Sequence, residues 1–147
     1  VAAEDVGNYV LFLFVYKGVW HLKEKPIVIT NNPLTKSSLE VKFEVIYLEG
    51  ASLMEVLIEV RDYIHRGHKL LTHPLMGSIK PNQTPYKSVA VSKKNYDLVD
   101  LMSLQIIEES ILKADSLLKH KPLPNWPKQA LEDFGLIDFD LIKNAIL

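Results

Sequence analysis

The run Pro26-Ile-Val-Ile-Thr30 constrains this chain most. Its β-branched apolar residues occupy both faces of an extended segment, so it reads as a strand buried on two sides. Such a strand needs helices above and below it. Asn31-Asn-Pro33 stops the run. Thr35 to Glu40 can form one or two helical turns. In residues 42–48, Phe43, Val45 and Tyr47 alternate with Glu44, Ile46 and Leu48, which predicts a second strand. Ser52-Leu-Met-Glu55 is a capping box: the serine oxygen takes an orphan amide and the glutamate reaches back to the cap. Leu53, Val56, Leu57, Val60 and Ile64 follow at helical spacing, and Gly67 suits the residue just past the helix end.

Further along, His68-Lys-Leu-Leu-Thr72 predicts a third strand and Tyr86 to Ser92 a fourth. A long helix is expected from about Asp97 to Lys119, with Leu104, Ile107, Ile111, Ala114 and Leu118 as its buried stripe. Lys121-Pro-Leu-Pro-Asn-Trp-Pro127 is a stiff connector. Pro127 can open a short helix ending at Gly135, and Asp138 can cap a last one over 139–146. Parallel strands need crossovers, and strand, helix, strand with short turns supplies them. The expectation is an α/β fold: a small three-layer Rossmann-like domain with a mostly parallel sheet of about four strands in the order 2-1-3-4, followed by C-terminal helices. Residues 24–147 form that single domain.

Residues 1–23 stand apart as an N-terminal extension. The apolar run Tyr9–Tyr16 is shorter than the roughly 20 residues a membrane helix requires. Glu4 and Asp5 precede it where a secretory signal would be basic. It reads either as an added edge strand or as sequence upstream of the natural start, a reading that Val1 suits. No membrane association is expected. The 147 residues contain no cysteine, which excludes a disulfide framework, cysteine-ligated metals and a thiol nucleophile. Seventeen basic and eighteen acidic side chains give a net charge of −1, so nucleic-acid binding is not expected either. G-x-G-x-x-G, P-loop and G-x-S-x-G motifs are absent, and no cofactor is predicted.

In parallel α/β sheets, ligands bind beyond the carboxyl ends of the strands. Two places qualify: Thr30-Asn31-Asn32-Pro33 and Thr72-His73-Pro74. The second opens a long segment to Ser88 with several prolines and few apolar anchors, and connections of that length are often functional. Lys80 and Lys87 offer ammonium groups; Ser78, Asn82, Thr84 and Ser88 can donate or accept hydrogen bonds. With Asn31, Asn32 and Thr72 they could cradle a phosphate or carboxylate. The competing structural reading gives the asparagines and threonine to local turns and leaves the lysines solvated. His73 at a strand end could serve as general base or could simply cap the loop. His65, His68 and His73 lack a metal-binding spacing, so no metal is expected. Trp126 among prolines either packs back on the core or is an exposed recognition residue.

Ile29-Thr-Asn-Asn-Pro-Leu34, the stretch Val60 to Leu75, and Gly77-Ser-Ile-Lys-Pro-Asn-Gln-Thr-Pro-Tyr-Lys-Ser88 together resemble the GrdX family over about residues 25–119. Those proteins are encoded beside the glycine, sarcosine and betaine reductase components of amino-acid-fermenting anaerobic bacteria. The resemblance implies a cytoplasmic accessory protein of that pathway and carries over no catalytic residue. Residues 1–23 and the Trp126 tail lie outside it. Three readings of function follow. One is an accessory or regulatory protein that binds a small anionic metabolite or a reductase component through the 72–88 loop and Asn31/Asn32. Another is a small enzyme acting on an acyl or phosphoryl compound, with His73 as acid/base and Lys80 or Lys87 as anion clamp. The third is an assembly protein without a ligand. Homo-oligomerisation is compatible with all three.

Overall fold

A computed structural model describes residues 24–147. The proposed extension 1–23, with its apolar run, lies outside the described residues. Strand β1 (Pro26–Thr30) leads through helix α1 (Pro33–Leu39) to strand β2 (Glu44–Tyr47). Helix α2 (Leu53–His65) follows, then strand β3 (Ser88–Ser92), helix α3 (Leu101–His120) and helix α4 (Lys128–Ile146). The sheet order is β2-β1-β3. β1 and β2 are parallel, with Thr30 opposite Tyr47. β1 and β3 are antiparallel, with Thr30 opposite Ser88 and Pro26 opposite Ser92.

All residues of β1 and β3 are buried, as two-sided apolar strands require. Their side chains alternate between two cores. Ile27, Ile29, Val89 and Val91 pack with Leu53, Val56, Leu57, Val60 and Ile64 of α2 and Ile106, Ile107 and Ala114 of α3. Val28 and Ala90 face the other way, onto Leu39 of α1 and Ile142, Ala145 and Ile146 of α4. Both halves of the Ser52–Glu55 capping box form. Helices therefore cover both faces of a mixed, three-stranded α/β sheet.

Two expectations about the sheet are corrected. Residues 68–72 do not form a third strand; they lie against β3 at one isolated antiparallel bridge, Leu70 to Val91, with backbone bonds from Ser92 N to Lys69 O at 2.7 Å and from Leu71 N and Thr72 N to Ala90 O at 2.9 and 3.3 Å. Hydroxyls take up further amides that a regular ladder would pair: Ser92 Oγ accepts from Lys69 N, Ser103 Oγ from Leu70 N, and Thr72 Oγ1 from Ala90 N, at 2.7, 2.9 and 2.9 Å. The expected order 2-1-3-4 also fails. The segment predicted as fourth strand is β3, and it lies between β1 and residues 68–72. A loop rather than a helix joins 72 to 88, so the return is antiparallel and the sheet is mixed rather than mostly parallel.

The helix ends differ as well. Asp97 has φ 61°, and α3 starts at Leu101 under an Asp100 cap that accepts from Ser103 N. The two expected C-terminal helices are one. α4 runs unbroken through Gly135, with Pro127 at its N-cap and Asp138 in its interior rather than capping. Gly135, Asp138, Ile142, Ala145 and Ile146 line its buried face. Burial of that face outweighs the roughly 1 kcal/mol a glycine costs inside a helix.

Candidate functional site

β1 ends where β3 begins, and this sheet edge carries a buried polar cluster. Thr30 and Ser88 are cross-strand partners, with their hydroxyl oxygens 2.7 Å apart. Asn32 caps α1, accepting from Leu34 N at 3.0 Å, while its own backbone N–H donates to Thr30 Oγ1 at 2.9 Å. Its amide nitrogen donates to Gly135 O at 2.8 Å and to Asp138 Oδ2 at 2.9 Å. Asp138 Oδ1 accepts from Ser88 N at 3.0 Å, and Oδ2 accepts from Ser88 Oγ at 2.6 Å. Ser88 Oγ also lies 3.1 Å from Thr35 Oγ1. Asn31 ties the neighbouring loops: its amide donates to Ala51 O and Pro85 O, and its Oδ1 accepts from Lys87 N. A buried carboxylate must be satisfied by donors or it is expensive, and Asp138 has three.

Beside this cluster, Lys87 is only 6% exposed. No hydrogen bond or ion pair joins its Nζ to another described residue; only its backbone is engaged. Burial pushes the Lys87 pKa down, and the charge of Asp138 opposes the shift. Residues 69–72 run antiparallel to β3 and hence parallel to β1, so His73 emerges at the same edge as Asn31. Its Nδ1 accepts from Leu75 N at 3.0 Å, so in the neutral ring Nε2 carries the proton. Burial, and then the charges of Lys87 and Lys113, hold the His73 pKa down at about 4, against an opposing pull from Glu109. The ring is neutral at physiological pH. A small, half-open cleft with accessible space of about 10 Å³, room for about one water, lies here, lined by Thr84, Tyr86, Lys87 and Asp138 and walled by apolar side chains such as Met76 and Leu141. It joins the Lys87 amine to the outside.

The model of the GrdX-like protein family matches residues 27–147. The chain belongs to the GrdX-like family. The match extends past the expected boundary near residue 119 and takes in Trp126, Asp138 and all of α4. Comparison with curated proteins and with solved structures gives no match.

In this GrdX-like protein, the residues singled out from sequence fall into three groups. Asn31, Asn32, Ser88 and Lys87 meet at one edge, and His73 approaches it from the adjacent loop. Thr72, Asn82 and Thr84 are buried in local structural bonds. Thr72 Oγ1 receives Ala90 N, and Thr84 Oγ1 receives Tyr86 N at 3.2 Å. The Asn82 amide donates to Leu117 O and Lys121 O at the end of α3. Ser78 and Lys80 are exposed, and the backbone of Lys80 forms a turn with Gln83. Trp126 packs back: its Nε1 donates to Gln83 O at 2.7 Å and its ring lies 5.3 Å from that of Phe134. Sequence reasoning missed Asp138 and Lys113. An aspartate at helical spacing with Gly135, Ile142, Ala145 and Ile146 was the available signal for the first, because an acid on an apolar face needs buried donors. Among the described residues, no cluster of three or more histidine or acidic side chains could hold a metal, and no helix is long and apolar enough to cross a membrane.

Proposed function

We propose that this GrdX-like protein is an accessory or regulatory protein of the glycine, sarcosine and betaine reductase system, acting in the cytoplasm, and that it binds a small anion at the Lys87 edge. The family supports the setting. One observation supports the anion: a lysine 6% exposed, opening on a cleft, with no acceptor for its Nζ among the described residues. Leaving an ammonium buried and unpaired is costly. A carboxylate or phosphate would supply the missing acceptor. The charges of Lys87 and Lys113 both act on His73, so the field at this edge is positive. Asn31, Asn32 and Ser88 serve this site as its frame, because their polar groups are already engaged. The exposed Ser78 and Lys80 are where a reductase component would touch the same loop.

Ligands that bind only the folded state raise the melting temperature. At 100 times Kd the stabilisation is about 2.7 kcal/mol. A thermal-shift screen with glycine, sarcosine, betaine, acetyl phosphate and inorganic phosphate should show a rise with at least one anion, and Lys87→Met should abolish it. A flat response to every anion would overturn the binding reading and favour an assembly role without ligand.

A further inference from the structure

The connector from α3 to α4, Lys121-Pro-Leu-Pro-Asn-Trp-Pro127, is not used by the anion-site reading. Its prolines fix φ near about −65° at 122, 124 and 127. Lys121, Leu123 and Trp126 each precede a proline and are steered to extended backbone. Both ends comply: Lys121 has φ −144° and ψ 106°, and Pro127 has φ −67° and ψ 162°. No helix or strand lies between them. Such a segment takes the polyproline II form, with about three residues per turn and its backbone carbonyls open to solvent. Lys121, Pro124 and Pro127 then share one edge, Pro122 and Asn125 a second, and Leu123 and Trp126 the third.

The protein ties this segment down at its two ends. The Asn82 amide donates to Lys121 O at 3.2 Å. Trp126 Nε1 donates to Gln83 O at 2.7 Å, and its ring lies 5.3 Å from that of Phe134. Trp126 thus turns the third edge towards the body. The other two edges are open along their length: Lys121, Pro122, Pro124, Asn125 and Pro127 are all exposed. Leu123 is exposed as well. Lys121 and Lys128 flank the prolines, and neither has an ion pair among the described residues. The nearest acids along the chain are Asp115, which pairs with Lys119 at 2.7 Å, and Glu132.

We propose that this connector is a ligand segment for a partner protein, a domain whose groove runs between aromatic side chains and is bordered by carboxylates. Pro122, Leu123 and Pro124 would lie in the groove. Aromatic rings pack on proline rings, and this is how proline-reading domains recognise polyproline II segments. Two lysines without a partner, one at each end of the prolines, ask for acids on the other side. Anchoring by Asn82 and Trp126 has already ordered the segment, so binding costs less entropy than for a free peptide. Stiffness alone would serve a spacer; the open apolar edge between two unpaired lysines is what a reader would use.

Titration calorimetry of the full chain tests this, with two proline-reading probes: an SH3 domain that takes basic-residue-plus-PxxP ligands, and a WW domain that takes Pro-Leu-Pro ligands. At least one should bind saturably. Pro124→Ala should weaken that binding by at least about tenfold, as expected for a residue central to an interface. Lys121→Glu should weaken it too. Both positions are exposed, so each variant should keep the wild-type melting temperature, which shows that it is folded. No binding to either probe overturns the proposal, and so does binding that Pro124→Ala leaves unchanged. Loss with Lys121→Glu alone would mean plain attraction to an acidic surface and would equally reject the groove.

Discussion

Asp138 holds three segments of chain at one point. Its oxygens receive Ser88 N, Ser88 Oγ and the amide of Asn32, and through them it fixes β3, the start of α1 and the interior of α4. Removing it strands buried donors, each costing about 1–3 kcal/mol. Asp138→Ala should therefore lower stability by about 3 kcal/mol or more in urea unfolding at unchanged m. Asp138→Asn keeps one acceptor oxygen and should cost less. A loss under about 1 kcal/mol for the alanine variant would show that the network relaxes onto other acceptors. His73 makes a separate prediction. Its pKa lies near 4 in the folded protein, below the ordinary 6.5. Between those values the unfolded chain binds the proton and the folded chain does not, so stability falls as pH drops from 6.5 towards 4 and does not depend on His73 above that window. His73→Gln should flatten this part of the stability–pH curve. An unchanged slope would mean that the ring is protonated in the native state.

At the scale of elements, two glycines separate backbone need from mere tolerance. Gly67 has φ 110°, and a Cβ there would lie 2.3 Å from Asn95 Oδ1 and 3.0 Å from the backbone nitrogen of Asp97. Gly67→Ala should destabilise by about 1–3 kcal/mol. Gly135 lies in α4, where a Cβ would meet Asn32 Oδ1 at 3.4 Å, an ordinary contact. Gly135→Ala should gain up to about 1 kcal/mol of helix propensity. If Gly135→Ala instead destabilises, the Asn32 contact is tighter than helix packing tolerates. The same pair explains what was legible. Gly67 was readable as a helix terminator because a local capping pattern preceded it. Gly135 was misread as a stop because its carbonyl partner, Asn32, is distant in sequence. Residues 68–72 fall short of a regular strand for a similar reason: Ser92 and Ser103, whose hydroxyls accept the Lys69 and Leu70 amides, come from later in the chain. Capping boxes and two-sided strands are local; polar bonds between distant segments are not, and much of the candidate site is made of the latter.

At the scale of the whole molecule, the cores on the two sheet faces raise the question of how much chain the fold needs. The core residues of both clusters run from Ile27 to Ile146, nearly the span over which the family model matches. Glu24 belongs with them, because Tyr96 Oη donates to its Oε2 at 3.0 Å. Burial and that contact push the Tyr96 phenol up to about 12. A chain beginning at Glu24 should therefore be soluble and unfold in one cooperative transition. Its m-value should match the surface exposed by 124 residues (24–147), since m scales with that area. It should also keep the Lys87-dependent thermal shift, because every group assigned to the site lies downstream. Precipitation, or a broad transition with low m, would mean that the apolar run Tyr9–Tyr16 contributes to the core. In that case β2 would be the first place to look for it, since among the described residues β2 is paired on one side only and is less buried than β1 or β3.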